Sequence, residues 1–384
     1  MAETDIPIKL AWLGNLGNVG FNYVRLLNKN GVYATLFLNS RELMVFQPGN
    51  PDYEFNGASK EAFVEVYKDN IFEVVIRKLF PDHPLERYLI KIAKQYNIVQ
   101  AQTVSEVIAN KLMRRFNIPY AAMATGADLS EVAFSDSILG EKYRRALKEA
   151  SHIFLVNIDQ FGYLDALGLK DVPHSFLPFN ISADKFKFQD NNVKDKIILF
   201  SVARLDWQSK DRKSIKRNDI FFRGLSEFIK QNKAHNFELW ISDWGIDKEE
   251  TRKLIKELGL ENISKFIPPC EKEPFYDLLK SANIIVDQFH LGAVGLSAIE
   301  SMAMSRPVMA YCNCGYAREA YGQDNPPFIN CRTEKEVFDS LKLVSQNYIK
   351  DKSSESFEWV KRNHSEGLIA QRLNSVYSGI LKNN

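Results

Sequence analysis

KLAWLGNLGNVGFNYVRLLNKNGVYATLFL, residues Lys9–Leu38, sets the architecture. Lys9–Leu13 is a short apolar run closed by Gly14, as a first buried strand would be. A helix follows from about Asn18 to Lys29, with Gly31 as its C-terminal stop. Tyr33–Leu38 then reads as a second strand. A strand–helix–strand opening predicts an α/β fold, with a parallel sheet covered by helices on both faces. Gly14, Gly17 and Gly20, with Asn18 among them, occupy the strand-to-helix turn in GxxGxxG spacing. A dinucleotide fingerprint needs GxGxxG and an acid closing the second strand. Here that strand closes on Leu38-Asn39, so a nicotinamide cofactor is not expected. The loop serves either close approach of another ligand or a tight turn.

The pattern is poorer over Arg41–Asp69, where PGNPDYEFNG reads as loop, and Phe72–Lys78 is a candidate strand. Alternation resumes with a helix at Leu85–Gln95, strand Ile98–Ala101, helix Val104–Arg115 and strand Tyr120–Ala124. Then come a helix around Glu141–Ala150, strand His152–Val156, helix Ile158–Leu167 and strand His174–Pro178. NISADKFKFQDNNVKDK, from Asn180 to Lys196, is polar and without period, the mark of a linker. A second series follows: strands at Ile197–Val202, Phe237–Ile241, Phe266–Ile267, Ile284–Val286 and Val308–Tyr311. Helices are expected at Asp219–Gln231 and Lys248–Leu258. Glu355–Leu381 reads as two helical segments broken near Asn363-His364-Ser365.

With 384 residues, 45% hydrophobic and 26% charged, the chain fits a soluble protein of two similar domains. A net charge of +2 argues against nucleic acid or strongly acidic partners. Cys270, Cys312, Cys314 and Cys331 lack the spacing of zinc or redox motifs, so free thiols in a reducing compartment are expected. The opening MAETDIPIKLAWLG is not a signal peptide, and no apolar run spans a bilayer. These features predict a cytoplasmic protein, at most peripheral to the cytoplasmic membrane face.

The chemistry concentrates in DQFHLGAVGLSAIESMAMSRPVM, Asp287–Met309. Val294, Gly295 and Leu296 lead into a short helix, so their N–H groups are available to an anion. Glu300 lies on that helix among Ile299, Met302 and Ala303. A carboxylate there needs a hydrogen-bonding partner, and a ligand's hydroxyl pair is one such partner. Arg204 closes the strand IILFSVAR, where open α/β sheets bind ligands. The following loop carries Lys210, Arg212, Lys213, Lys216 and Arg217, charges suited to a diphosphate. Asp243 and Gly245 in LWISDWG shape either the pocket or the turn. Asp128 in TGADLSE either caps a helix or faces a cleft between the domains. His290 precedes the key loop, and the six histidines form no metal set.

On these residues the chain resembles the family 4 (group 1) glycosyltransferases of the GT-B fold over nearly its whole length. SVARL with KRND is similar to the family's donor element, GLSAIESMAMSRPVMAY to its two-glutamate motif, and FLPFNISADKF to the segment ending its N-domain. The resemblance implies two Rossmann-like domains across a deep cleft: 1–182 on the acceptor side, 183–370 on the donor side, and 371–384 returning to the first. It implies that Arg204 and Lys216, with Lys210 in reserve, hold the donor diphosphate and that Glu300 holds the ribose. Catalytic candidates are Arg204, Lys216 and Asp128. The donor site adds Asp243, Gly245, His290, Val294, Gly295 and Leu296. The implied reaction is metal-independent, retaining transfer from a nucleotide-diphosphate sugar to a glycan, lipid-linked or small-molecule acceptor. Two departures stand out. Gly292 occupies the place of the motif's first glutamate, and Thr125 that of an N-domain histidine. They leave a non-catalytic nucleotide-sugar binder or regulatory subunit as the alternative.

Overall fold

The computed structural model describes residues 6–39, 63–67, 83–181, 186–209, 215–232 and 236–383. The expected loop at 48–57, the expected strand Phe72–Lys78, and Lys210, Arg212 and Lys213 lie outside the described residues. The chain divides into two units. The first contains 1–156, 160–180 and 366–384, and the second 157–159 and 181–365. The sequence expectation put the return to the first unit at 371. The whole helix Glu366–Lys382 makes it, because the break falls at His364-Ser365.

The first unit is one parallel sheet of β1 (Lys9–Leu13), β2 (Tyr33–Asn39), β3 (Val64–Tyr67), β4 (Ile98–Gln102), β5 (Tyr120–Ala124), β6 (His152–Leu155) and β7 (His174–Phe176), in the order β3-β2-β1-β4-β5-β6-β7. Both faces of the sheet are covered, so its strands read as continuous apolar runs. Alternate side chains divide between two cores. Ala11 and Leu13 pack on one face with Val99 and Leu112. Leu10 and Trp12 pack on the other with Ile369, Ala370, Leu373, Tyr377 and Ile380 of the terminal helix. That helical spacing presents one apolar stripe to the sheet. The Tyr377 hydroxyl lies 2.9 Å from Gln100 Oε1, which satisfies both buried polar groups.

The second unit repeats the architecture with β8 (Ile197–Ser201), β9 (Phe237–Ser242), β10 (Ser264–Ile267), β11 (Ile284–Val286), β12 (Val308–Ala310) and β13 (Ile329–Asn330), all parallel, in the order β10-β9-β8-β11-β12-β13. In each sheet the order reverses once, between β1 and β4 and between β8 and β11. Loops leaving the strand ends diverge there and open a crevice.

Sequence expectation and structure differ at a few edges. β3 and β13 were not expected, because short half-exposed edge strands carry little apolar signal. The helix Glu106–Phe116 begins later than Val104, since Thr103 and Val104 have φ of 60° and 71° and cannot belong to it. The helix Gln346–Asn363 begins earlier than Glu355, its N-terminus capped by the Ser345 side chain. Among the described residues no helix is long and apolar enough to cross a membrane.

Within the first sheet, burial and the neighbouring His174 hold the His152 imidazole neutral down to about 4. The unfolded chain takes up that proton near 6.5, so acid favours the unfolded state. Stability is therefore complete above pH 6.5 and falls as pH drops toward 4. Denaturant titrations should find that the native chain loses about 2 kcal/mol more over this window than His152→Gln, allowing for the ring's partial exposure. Parallel curves for the two would refute the assignment.

Candidate functional site

The crevice of the second unit opens between β8 and β11, and Asp206 organises its first wall. The Asp206 carboxylate, fully buried, accepts from the Arg204 guanidinium at 2.9 Å. Its carbonyl accepts the N–H groups of Lys216 (2.7 Å) and Arg217 (3.3 Å). Its own N–H donates to the Asn218 side chain at 3.2 Å. Across the intervening stretch, Asp247 accepts from Trp207 and Gln208 N–H at 2.6 and 3.0 Å. The turn after β9 is pressed against this wall: a Cβ on Gly245 (φ +123°) would lie 2.3 Å from the Leu205 carbonyl oxygen. Gly245 thus shapes the backbone that carries Arg204, and Asp243 beside it pairs with Arg252 at 2.6 Å.

The second wall is the connection from β11 to the helix Leu296–Ala303, and Gln288 organises it. The buried Gln288 side chain donates to the Ala293 and Tyr311 carbonyls and accepts from His290 and Leu291 N–H. Phe289 N–H donates to the Lys216 carbonyl at 2.9 Å, which fastens the two walls together. Gly292 has φ +68°, and a Cβ there would meet Asn313 and Tyr311 at 2.9 Å. The missing acid is therefore a steric condition of this loop's path, beyond a change of residue type. Gly295 precedes the helix with no side-chain cap, so the first-turn N–H groups around Leu296 have no partner from such a cap. Glu300, 5% exposed, accepts from the Tyr276 hydroxyl at 2.9 Å. The partner sought for that carboxylate thus includes a tyrosine.

Charge converges at this point. Burial holds the Lys216 ammonium below the usual lysine range. Asp287 opposes that effect most, Arg204 reinforces it, and Asp159 and Asp206 oppose it. Burial pushes the Asp287 carboxyl up, with Lys216 pulling it back. Asp159, in the 157–159 segment of the second unit, is raised to about 6 by burial, against its own backbone N–H and Lys216. Burial, then Arg217 and Arg332, lower the exposed His290 imidazole. Among the described residues no three His, Cys, Asp or Glu side chains are grouped as metal ligands.

The structure thus brings Arg204, Lys216, Val294, Gly295, Leu296 and Glu300 onto one end of the second sheet, and turns Asp243 toward Arg252. In the first unit, Asp128 is spent on its own loop. It accepts from the N–H groups of Thr125, Gly126 and Leu129 and from the Thr125 hydroxyl. Beside it the buried Glu106 carboxyl is pushed well above the usual range by burial and then by Asp128. The glycine loop is closely packed. A Cβ on Gly14 would fall 2.8 Å from Gln102 Cγ, and one on Gly20 2.3 Å from the Gly14 carbonyl oxygen. Gly17 and Asn18, at φ 58° and 64°, make the turn between them. Asp206, Asn218, Asp247, Tyr276, Asp287 and Gln288 were missed in the sequence. Asp287 and Gln288 stood inside the quoted motif, and only their burial separates them from ordinary loop polar residues.

Residues 182–325 match the family model described as glycosyl transferases group 1. A stretch of 62 residues is 34% identical to the D-inositol 3-phosphate glycosyltransferase of Streptomyces bingchenggensis (strain BCW-1). It covers 16% of this chain and 14% of that relative's length. The fold is similar to that of HepE from Anabaena in complex with UDP-glucose, with a TM-score of 0.70 at 14% identity, covering 97% of this chain and 100% of that one. It is also similar to sucrose-phosphate synthase from Thermosynechococcus elongatus, with a TM-score of 0.67 at 15% identity, covering 98% and 100%. At such identity these likenesses establish the fold, which is GT-B.

Two substitutions test the steric reading. Gly292→Glu should lower the unfolding free energy of the second unit by about 2 kcal/mol or more, from the positive φ and the clash. Gly245→Ala should cost a similar amount and displace the Arg204 loop, which amide exchange at Leu205 and Asp247 would report. Unchanged melting of both variants would contradict it.

Proposed function

We propose that this chain, whose residues 182–325 match the group 1 glycosyl transferase model, moves a sugar from a nucleotide-diphosphate sugar to a hydroxyl-bearing acceptor. One observation carries the reading: the loop bearing Arg204 and Lys216 is fastened, through Phe289 N–H on the Lys216 carbonyl, to the connection leading into the helix Leu296–Ala303, whose N-terminus has no side-chain cap. Two cations and a helix N-terminus meeting at a switch point suit a diphosphate. Glu300, a buried acceptor on that helix that takes the Tyr276 hydroxyl, is the group proposed to meet a ribose hydroxyl.

The chemistry follows from charge. As the anomeric carbon–oxygen bond breaks, negative charge grows on the departing diphosphate while the sugar becomes oxocarbenium-like. Arg204, Lys216 and the N–H groups at 295–296 stabilise the leaving group without reorganising. This array of cations takes the part a metal ion plays elsewhere, so a metal-independent reaction is proposed. Retention of anomeric configuration is proposed on the family resemblance: the leaving phosphate takes the acceptor's proton on the face it departs from. UDP-glucose is the first donor to test, since HepE of similar fold is known in complex with it. The acceptor is a glycan, a lipid-linked sugar or a small molecule, reached without a membrane-spanning helix among the described residues.

A second reading, a sugar-nucleotide binder without transfer, is favoured by Gly292 and by Thr125, whose hydroxyl serves Asp128. Thermal shifts with UDP-, GDP-, ADP- and TDP-sugars identify the donor, and transfer assays over an acceptor panel separate the readings. Stabilisation by one nucleotide sugar with product release supports transfer; stabilisation without product supports the binder. Arg204→Ala should lower kcat by ~100-fold or more, about 2.7–4 kcal/mol of transition-state stabilisation, while weakening nucleoside binding far less. Glu300→Gln should weaken nucleotide-sugar binding with little change in melting. Early melting with unchanged affinity would make Glu300 structural.

A further inference from the structure

We propose that the second unit carries an effector site for a small apolar carboxylate, coupled to Glu300. The binding half of this inference stands alone, and the coupled half rests on the donor reading above. A cavity of about 210 Å³ lies among Ile181, Phe186, Ala303, Phe357, Val360 and Lys361. All of these residues belong to the second unit. Phe357, Val360 and Lys361 stand at i, i+3 and i+4 on the helix Gln346–Asn363, so they share one face. Ala303 ends the helix Leu296–Ala303, one turn beyond Glu300, and the two helices pack together. The space exceeds the roughly 150 Å³ of an apolar cavity that encloses benzene, so it takes an alkyl chain of about eight carbons or a substituted ring.

The lining decides the occupant. Its wall is chiefly apolar, and an empty void forfeits dispersion contacts that an apolar guest restores. His364 also borders the space, but its Nε2 is turned to the Tyr321 hydroxyl at 3.3 Å. Lys361 supplies the charge. It is exposed, its ammonium lies 5.5 Å from the centre of the Phe357 ring, and its partner is Glu358 at 3.3 Å. A surface pair of that kind contributes little, so a carboxylate competes for the ammonium while its apolar end fills the cavity. The route to Glu300 is short. Phe186 packs edge-on against Tyr276, with ring centres 5.6 Å apart and planes at 77°. The Tyr276 hydroxyl in turn donates to Glu300 Oε1 at 2.9 Å. A guest therefore meets the support of Glu300 twice, through Phe186 on Tyr276 and through Ala303 on the helix itself. Filling the void narrows the freedom of both, and a carboxylate held in place binds a ribose hydroxyl at lower entropic cost. The coupling is positive and, by linkage, reciprocal.

Calorimetry with sodium octanoate tests the site with no nucleotide present. Octanoate should bind the native chain more tightly than octanol or octylamine does. Lys361→Glu, at an exposed position, should weaken octanoate about fivefold. Val360→Phe, which fills the space, should abolish binding; should that variant fail to fold, Val360→Met gives a graded loss. Octanoate should also slow amide exchange over residues 300–304 of the native chain. Calorimetry with UDP then reads the coupling. Saturating octanoate should lower the UDP dissociation constant about fivefold in the native chain, and by roughly twofold or less in Tyr276→Phe. No octanoate binding, equal binding by Val360→Phe, or octylamine binding as tightly as octanoate would overturn the site. A UDP constant indifferent to octanoate would overturn the coupling. If octanoate binds and slows exchange but no nucleotide binds the native chain, the donor reading fails while the effector site stands.

Discussion

The buried Asp206 carboxylate anchors the interaction on which the crevice of the second unit depends. A fully buried carboxylate requires a compensating charge, and Arg204 supplies it from two residues away. The same residue's carbonyl gathers Lys216 and Arg217 from the far end of a long excursion, and Asn218 closes the arrangement through the Asp206 N–H. One residue therefore ties three cationic residues into a common frame. Preorganisation of this kind matters because donors already in place stabilise developing charge without reorganisation at the moment of reaction.

Space is the second constraint. Gly245 lets the β9 turn press on Leu205, and Gly292 lets the β11 loop pass against Tyr311 and Asn313. Each excludes a side chain. Gly245 supports the loop that carries Arg204, whereas Gly292 leaves no room for a side chain beside Tyr311 and Asn313.

The first unit is built by the same rules with a different outcome. Its switch point holds a packed glycine loop and a buried acidic pair, Glu106 and Asp128. Asp128 is occupied by Thr125, Gly126 and Leu129. A carboxylate so thoroughly used by its own loop as Asp128 is ill suited to proton transfer.

What the sequence determined by itself was architecture and the address of the candidate site. Apolar runs of strand length alternating with helical spacing are local properties, so the two parallel sheets, the linker near Asn180 and the paired terminal helices were legible from Lys9 onward. The motif at Asp287–Met309 and the end of IILFSVAR were legible because strand ends and helix starts place their residues predictably. Tertiary structure alone decided which polar residues act. Asp206, Gln288 and Asp287 look like surface polar residues in a one-dimensional reading, and Asp243 looked like a pocket residue until Arg252 claimed it. Burial and partner choice depend on contacts between segments distant in sequence, such as Phe289 with Lys216 or Gly292 with Asn313. Composition and periodicity record a residue's own preferences, and carry no record of the neighbour that claims a loop aspartate, as Arg252 claims Asp243.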